Sequence, residues 1–110
     1  MTPNKQIVLA TTTQATAPII ANRFIGFDGK QAKASAAVFG VTPYNADEGD
    51  SVAVEVIGIA LVEAGGVITV GAQVTSDAQG CAVTGTSNVA GTAVTAATGA
   101  GDYIAVLLKG

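Results

Sequence analysis

The sequence predicts an all-β fold: a small β-barrel or β-sandwich built from two related β-units, with an extended N-terminal arm. Three observations predict it. First, Gly40–Val54 is echoed by Gly91–Val106. Each copy opens on glycine with a short Val/Thr strand, crosses an Ala-containing connector, turns at Gly-Asp and ends in an alternating strand. Upstream, Asp28-Gly29-Lys30-Gln31-Ala32 has a looser counterpart in Asp77-Ala78-Gln79-Gly80-Cys81-Ala82. Second, short aliphatic runs recur at even spacing between glycine turns, the pattern of an all-β barrel or sandwich. Third, 110 residues hold a single core. Two units fall short of the roughly three that a stacked solenoid needs, so they are expected to close on each other.

Residues 1–22 differ in character from the rest of the chain. Thr11-Thr12-Thr13-Gln14-Ala15-Thr16-Ala17-Pro18 is uncharged, β-branched and without helical period. β-Branched residues bias such a segment toward an extended chain. It reads either as a free terminus or as an arm that orders on a neighbour by strand addition. The single β-domain is expected over residues 23–110. Arg23–Phe27, Asp28-Gly29 and Lys30–Ala32 read as a hairpin, because an Asp-Gly pair supplies the positive φ of a tight turn. An alanine-rich link leads into a strand at Val38–Thr42, which Pro43 ends by removing a ladder donor. Asp47–Asp50 is an acidic turn. Ser51–Ile57 is the clearest strand, with Val52, Val54 and Val56 on one face. Gly58 is expected to bend the chain into Ile59–Val62. Further strands are expected at Val67–Val70, at Gln73–Thr75 and from Cys81 to Thr84. Tyr103–Leu108 closes the chain with both faces apolar, which marks a central strand or one covered by another subunit.

Composition narrows the function. Apolar residues make up 49 % but aromatics only 5 %, with no Trp. The core is therefore built from small side chains that each bury little area, while 14 glycines raise the entropy lost on folding. That balance favours an oligomer, or a chain docked on a larger body. Charged residues are 12 % and the net charge is −3. So few cations cannot neutralise many phosphates, which argues against nucleic acid and anionic lipid. Interface cores are themselves depleted in charge, so the same surface suits protein–protein contact. No run approaches the roughly 18 apolar residues of a membrane span. The N-terminal apolar run is too short for a secretory signal, so the chain is expected to be made and used without such export.

The catalytic inventory is thin. There is no histidine, so a neutral-pH base would have to be a shifted carboxylate or lysine. Asp47, Glu48 and Asp50 lack the spacing of a calcium loop and read as a solvated turn. Cys81 is alone and reads as a small buried hydrophobe. Ser35, Ser51, Ser76 and Ser87 have no nucleophile context. The rhythm of Gly66–Val74 is shared with lipoyl and biotinyl carrier domains, but Lys30 lacks their lysine motif. No enzyme, cofactor or metal site is expected.

From Phe24 onward the chain resembles the capsid cement, or head decoration, proteins of tailed bacteriophages. The matching pieces are Asp28-Gly29-Lys30-Gln31-Ala32, Val38-Phe39-Gly40-Val41-Thr42, Gly49-Asp50 and Gly58-Ile59-Ala60. They continue with Val62-Glu63-Ala64-Gly65-Gly66, Ile68-Thr69-Val70-Gly71, Thr75–Gly80, Gly91-Thr92-Ala93, Ala100-Gly101-Asp102 and Ile104–Leu108. The resemblance implies a structural virion protein, made in the host bacterial cytoplasm and placed on the outer capsid surface. There it would act as a homotrimer that bridges major capsid protein subunits. On that reading Thr11, Thr12, Thr13, Gln14, Pro18, Ile19 and Ile20 are candidates for contact with the capsid or an adjacent subunit. Tyr103, Ala105 and Leu107 are candidates for the trimer contact. The competing expectation is a receptor- or glycan-binding fibre or adhesin module, for which Tyr44 and Tyr103 would supply stacking surfaces.

Overall fold

The computed structural model describes residues 5–109; the first four residues of the expected arm lie outside the described residues. Eight strands form one sheet, and the described residues contain no helix. They are β1 (Gln6–Gln14), β2 (Arg23–Ile25), β3 (Gly40–Thr42), β4 (Ser51–Glu63), β5 (Gln73–Ser76), β6 (Ala82–Thr84), β7 (Gly91–Ala93) and β8 (Tyr103–Leu108). The order is β2-β3-β4-β8-β7-β5-β6, with β1 paired to β4. A bridge between Ala64, just past β4, and Ala82 on β6 brings the last strand back and nearly closes a barrel.

The duplication read from the sequence is present in the backbone, and it reaches further than the sequence echo. Ile19 and Ala46 exchange two backbone hydrogen bonds, at 2.8 and 3.1 Å. Ile68 and Ala97 make the same exchange, at 3.0 and 2.9 Å. Phe24 faces Val41 on β2 and β3 as Gln73 faces Thr92 on β5 and β7. Gly40 and Gly91 match as well: a Cβ on either would collide with a backbone oxygen, that of Glu55 or Leu107. Gly49 and Gly101 both sit at φ 93°, a region that glycine enters without steric penalty.

The N-terminal segment belongs to this repeat. Gln14 pairs with Ser51, and Thr11 with Val54, along β4. In the second unit Glu63 pairs with Tyr103, and Ala60 with Val106, along β8. Thus β1 stands to the first half of β4 as the second half of β4 stands to β8. The extended arm expected over residues 1–22 is corrected over its described part. Residues 6–14 are a strand of the chain's own sheet, and Ala15 and Ile19 are buried. The threonines that favour a free extended chain equally favour a strand once β4 offers an edge.

β4 is also longer than expected. It runs unbroken through Gly58, whose φ of 118° accommodates a bulge where the register with β1 slips. Val67–Val70, expected as a strand, contributes only the Ile68 bridge. The hairpin at Asp28-Gly29 is present in short form, closed by the Ile25–Gln31 bridge and by Lys30 N–H donating to Asp28 Oδ1 at 3.1 Å.

Two apolar clusters fill the fold. The smaller contains Ala15, Ile19, Ile25, Val52 and Val54, with Phe39, Ala46 and Val56 against it. The larger contains their counterparts Ala64, Ile68, Val74, Ile104, Val106, Ala90, Ala97 and Leu108. It also takes in Phe24, Ala32 and Val41 from the first unit. Ile25 points into the smaller cluster and its neighbour Phe24 into the larger, as strand alternation requires. The second unit therefore packs its interior on the back of the first. Arg23, ion-paired with Glu63 at 3.2 Å, and Phe24 N–H, donating to Gly80 O at 2.8 Å, fasten the junction.

Candidate docking surfaces

A site built for chemistry would show as converging polar side chains, whereas Asp50 and Asp102 serve the turns. Asp50 Oδ2 accepts the Asp47 N–H at 2.9 Å. Its counterpart Asp102 Oδ2 accepts both the Thr98 hydroxyl at 2.7 Å and the Thr98 N–H at 2.8 Å. Those bonds, the hydroxyl first, hold the Asp102 carboxyl below its ordinary range, because they favour the charged form. Cys81 is buried as expected. Burial, and then the Asp77 carboxylate, push its thiol above the ordinary value, so it is a poor nucleophile. Among the described residues there is no group of three His, Cys, Asp or Glu side chains that could hold a metal ion. No described helix is long and apolar enough to cross a membrane.

What the surface offers instead is apolar contact. The residues expected to meet the capsid divide. Thr11, Thr12, Gln14, Pro18 and Ile20 are exposed and Thr13 is half-buried. Ile19, at 2 % exposure, is locked into the smaller core and cannot reach a partner. Alternation along β1 puts Thr11 and Thr13 on the face of Val54 and Val52, and Thr12 and Gln14 on the face of Ala53 and Ser51.

The candidates on β8 divide in the same way. Tyr103 is 52 % exposed and Leu107 50 %, whereas Ala105 is 1 % exposed. Ala105 is covered by its own chain, its N–H donating to Thr95 Oγ1 at 2.9 Å. Ile59, Leu107 and Thr92 lie side by side across β4, β8 and β7. Next to them, Gln73, Thr92 and Leu107 line a shallow groove of about 530 Å³.

The sequence reading missed a further patch. Phe27 is 68 % exposed, and its ring stacks on Phe39 at 4.9 Å with an interplanar angle of 27°. Reading both as strand residues hid the pairing. A signal was available: all three phenylalanines of an aromatic-poor chain fall in its first half.

The base of the bacteriophage phi29 head fibre, solved as the "head fiber gp8.5 N base", superposes with a TM-score of 0.74 at 26 % identity. The match covers 92 % of this chain and 93 % of that one. No curated protein matches the sequence. The sequence model of the phage cement proteins matches residues 2–109. An all-β barrel that exposes apolar patches and matches that family nearly end to end is a phage structural protein, and the chain belongs to the phage cement protein family.

Proposed function

We propose that this chain docks on the outer surface of a phage capsid as a homotrimer and stabilises the mature shell by bridging major capsid protein subunits. The observation that carries this reading is the family match over residues 2–109. The surface supports it: Ile20, Phe27, Tyr103 and Leu107 are large apolar side chains left exposed. Thr12, Gln14, Pro18 and Ile20, exposed on one continuous segment, form the capsid contact. Tyr103 and Leu107 contribute to the contact between copies.

The energetics suit many weak contacts. Copies held both to the shell and to one another bind with an avidity well above that of a single contact. A protein that binds only the expanded lattice stabilises it by mass action, in the direction that opposes pressure from packaged DNA. Cosedimentation tests this. The purified protein should pellet with mature shells, fail to pellet with unexpanded ones, and raise the temperature at which shells release DNA. Equal binding to both shells, or to neither, would overturn the reading.

The likeness to the base of a head fibre favours a second reading, in which the chain seats a fibre or adhesin on the head. Binding of the isolated protein to host cell surfaces or to a glycan array would support that alternative over a staple.

A further inference from the structure

We infer that copies of this chain join head to tail, repeating between molecules the contact that joins the two units within one. The inference rests on the homotrimer reading above and specifies its geometry.

Inside the molecule, the back of the first unit is the row Phe24, Val41 and Glu55 across β2, β3 and β4. All three are buried, with Phe24 and Val41 taken into the core of the second unit. The matching row on the second unit is Gln73, Thr92 and Leu107 across β5, β7 and β8. Nothing among the described residues covers it: all three side chains are exposed and line the open groove. The molecule thus ends in an unused back.

It also begins with an unused front. The interior of the second unit is completed by the back of the first. Among the described residues, nothing equivalent covers the interior of the first unit. Its core is instead shielded by Phe39, with Phe27 stacked outside it and largely exposed. The second unit carries Ala90 at the position of Phe39, where the back of the first unit supplies the bulk. On the face of Val52 and Val54, against whose cluster Phe39 packs, Thr11 and Thr13 occupy the β1 positions that correspond to Ala60 and Val62, both fully buried on β4.

A front that lacks a back and a back that lacks a front, on one chain, fit a second copy of that chain. The internal junction supplies the template, with Phe27 and Thr11 of one copy set against Leu107 and Thr92 of the next. Such a contact is heterologous, each copy using two different surfaces. With a 120° turn between copies it closes a ring of three.

Mixing complementary variants tests this. Phe27→Arg spoils only the front and Leu107→Arg only the back; both side chains are exposed, so each variant keeps the β-rich circular dichroism of the parent. By light scattering the parent is an oligomer, and each variant alone falls to the monomer mass. An equimolar mixture returns to dimers and stops there, because only one intact front meets one intact back. Thr92→Arg, a second back variant, should behave as Leu107→Arg does and also pair with Phe27→Arg. A parent chain that is monomeric, a single variant that keeps the parent mass, or a mixture that stays monomeric overturns the inference. Shell binding by the parent is scored separately. An oligomeric parent that binds shells but fails the mixing test loses this geometry alone; a monomeric parent loses the homotrimer as well; one that passes but ignores shells loses the capsid reading alone.

Discussion

The two β-units share a hydrogen-bond pattern and differ in how each hides its interior. In the second unit Ala90 and Ala97 lie in a core completed by Phe24 and Val41 from the unit before it. In the first, Phe39 does that work with Phe27 stacked outside, and β1 stays wet along most of its length. The difference teaches that backbone pairing outlasts side-chain identity. Ladder bonds need only the main chain, so they persist while side chains drift to suit what lies over them. Where a neighbouring unit supplies bulk, alanine suffices; where none does, the chain supplies an aromatic lid.

The comparison can be broken most decisively at the junction. Phe24→Ala removes a fully buried ring and should cost about 3–5 kcal/mol. Gln73→Ala, at the matching but exposed position, should stay within about 0.5 kcal/mol. Urea melts of the two variants check the asymmetry, and equal losses would show that the two backs are equally covered. Next come the glycines where the units are alike. Gly40→Ala and Gly91→Ala each drive a methyl into a backbone oxygen, which cannot swing aside as a side chain can. Both should lose a similar amount, about 1–3 kcal/mol; a harmless substitution at either would break the equivalence.

A smaller effect, of opposite sign, is expected at Thr42. Its hydroxyl is fully buried without a hydrogen-bond partner, while the corresponding residue of the second unit is Ala93. Thr42→Val keeps the shape and removes the unpaired group, so it should raise stability by about 1 kcal/mol, read as a higher melting temperature. The smallest effect concerns pH. With its folded-state value depressed, Asp102 adds stability above the pKa of the unfolded chain. That contribution is lost as pH falls through the lower, folded value. Thr98→Val removes the hydroxyl bond that leads the shift. The Asp102 carboxyl midpoint, followed by carbon-detected NMR, should then rise; an unmoved midpoint would rule out the threonine as its cause.

Much of the fold was legible because its signals are local. Tyr103–Leu108 and Ser51 onward alternate with period two and are strands. Asp28-Gly29 supplies a turn by backbone preference alone, and Cys81 is the inert buried thiol that a chain without histidine suggests. The exposure of the candidate contact residues was legible only in part. Tyr103 and Leu107 are exposed as a contact requires, but Ala105 and Ile19, read from the same alternation and the same segment, are buried by distant parts of the chain. The Phe27–Phe39 stack joins two strand regions across a turn and an alanine-rich link, which no short-range pattern records.

The sequence by itself determined the all-β class, the glycine corners, a duplicated second half of each unit and a composition suited to adhesion. These arise from backbone preferences and side-chain alternation, which act over a few residues. Only the tertiary structure decided that Gln6–Gln14 is a strand of its own sheet, that the repeat spans nearly the whole chain, and which faces are left open. A strand's pattern tells its two faces apart, but what covers each face is set by packing between segments far apart in sequence.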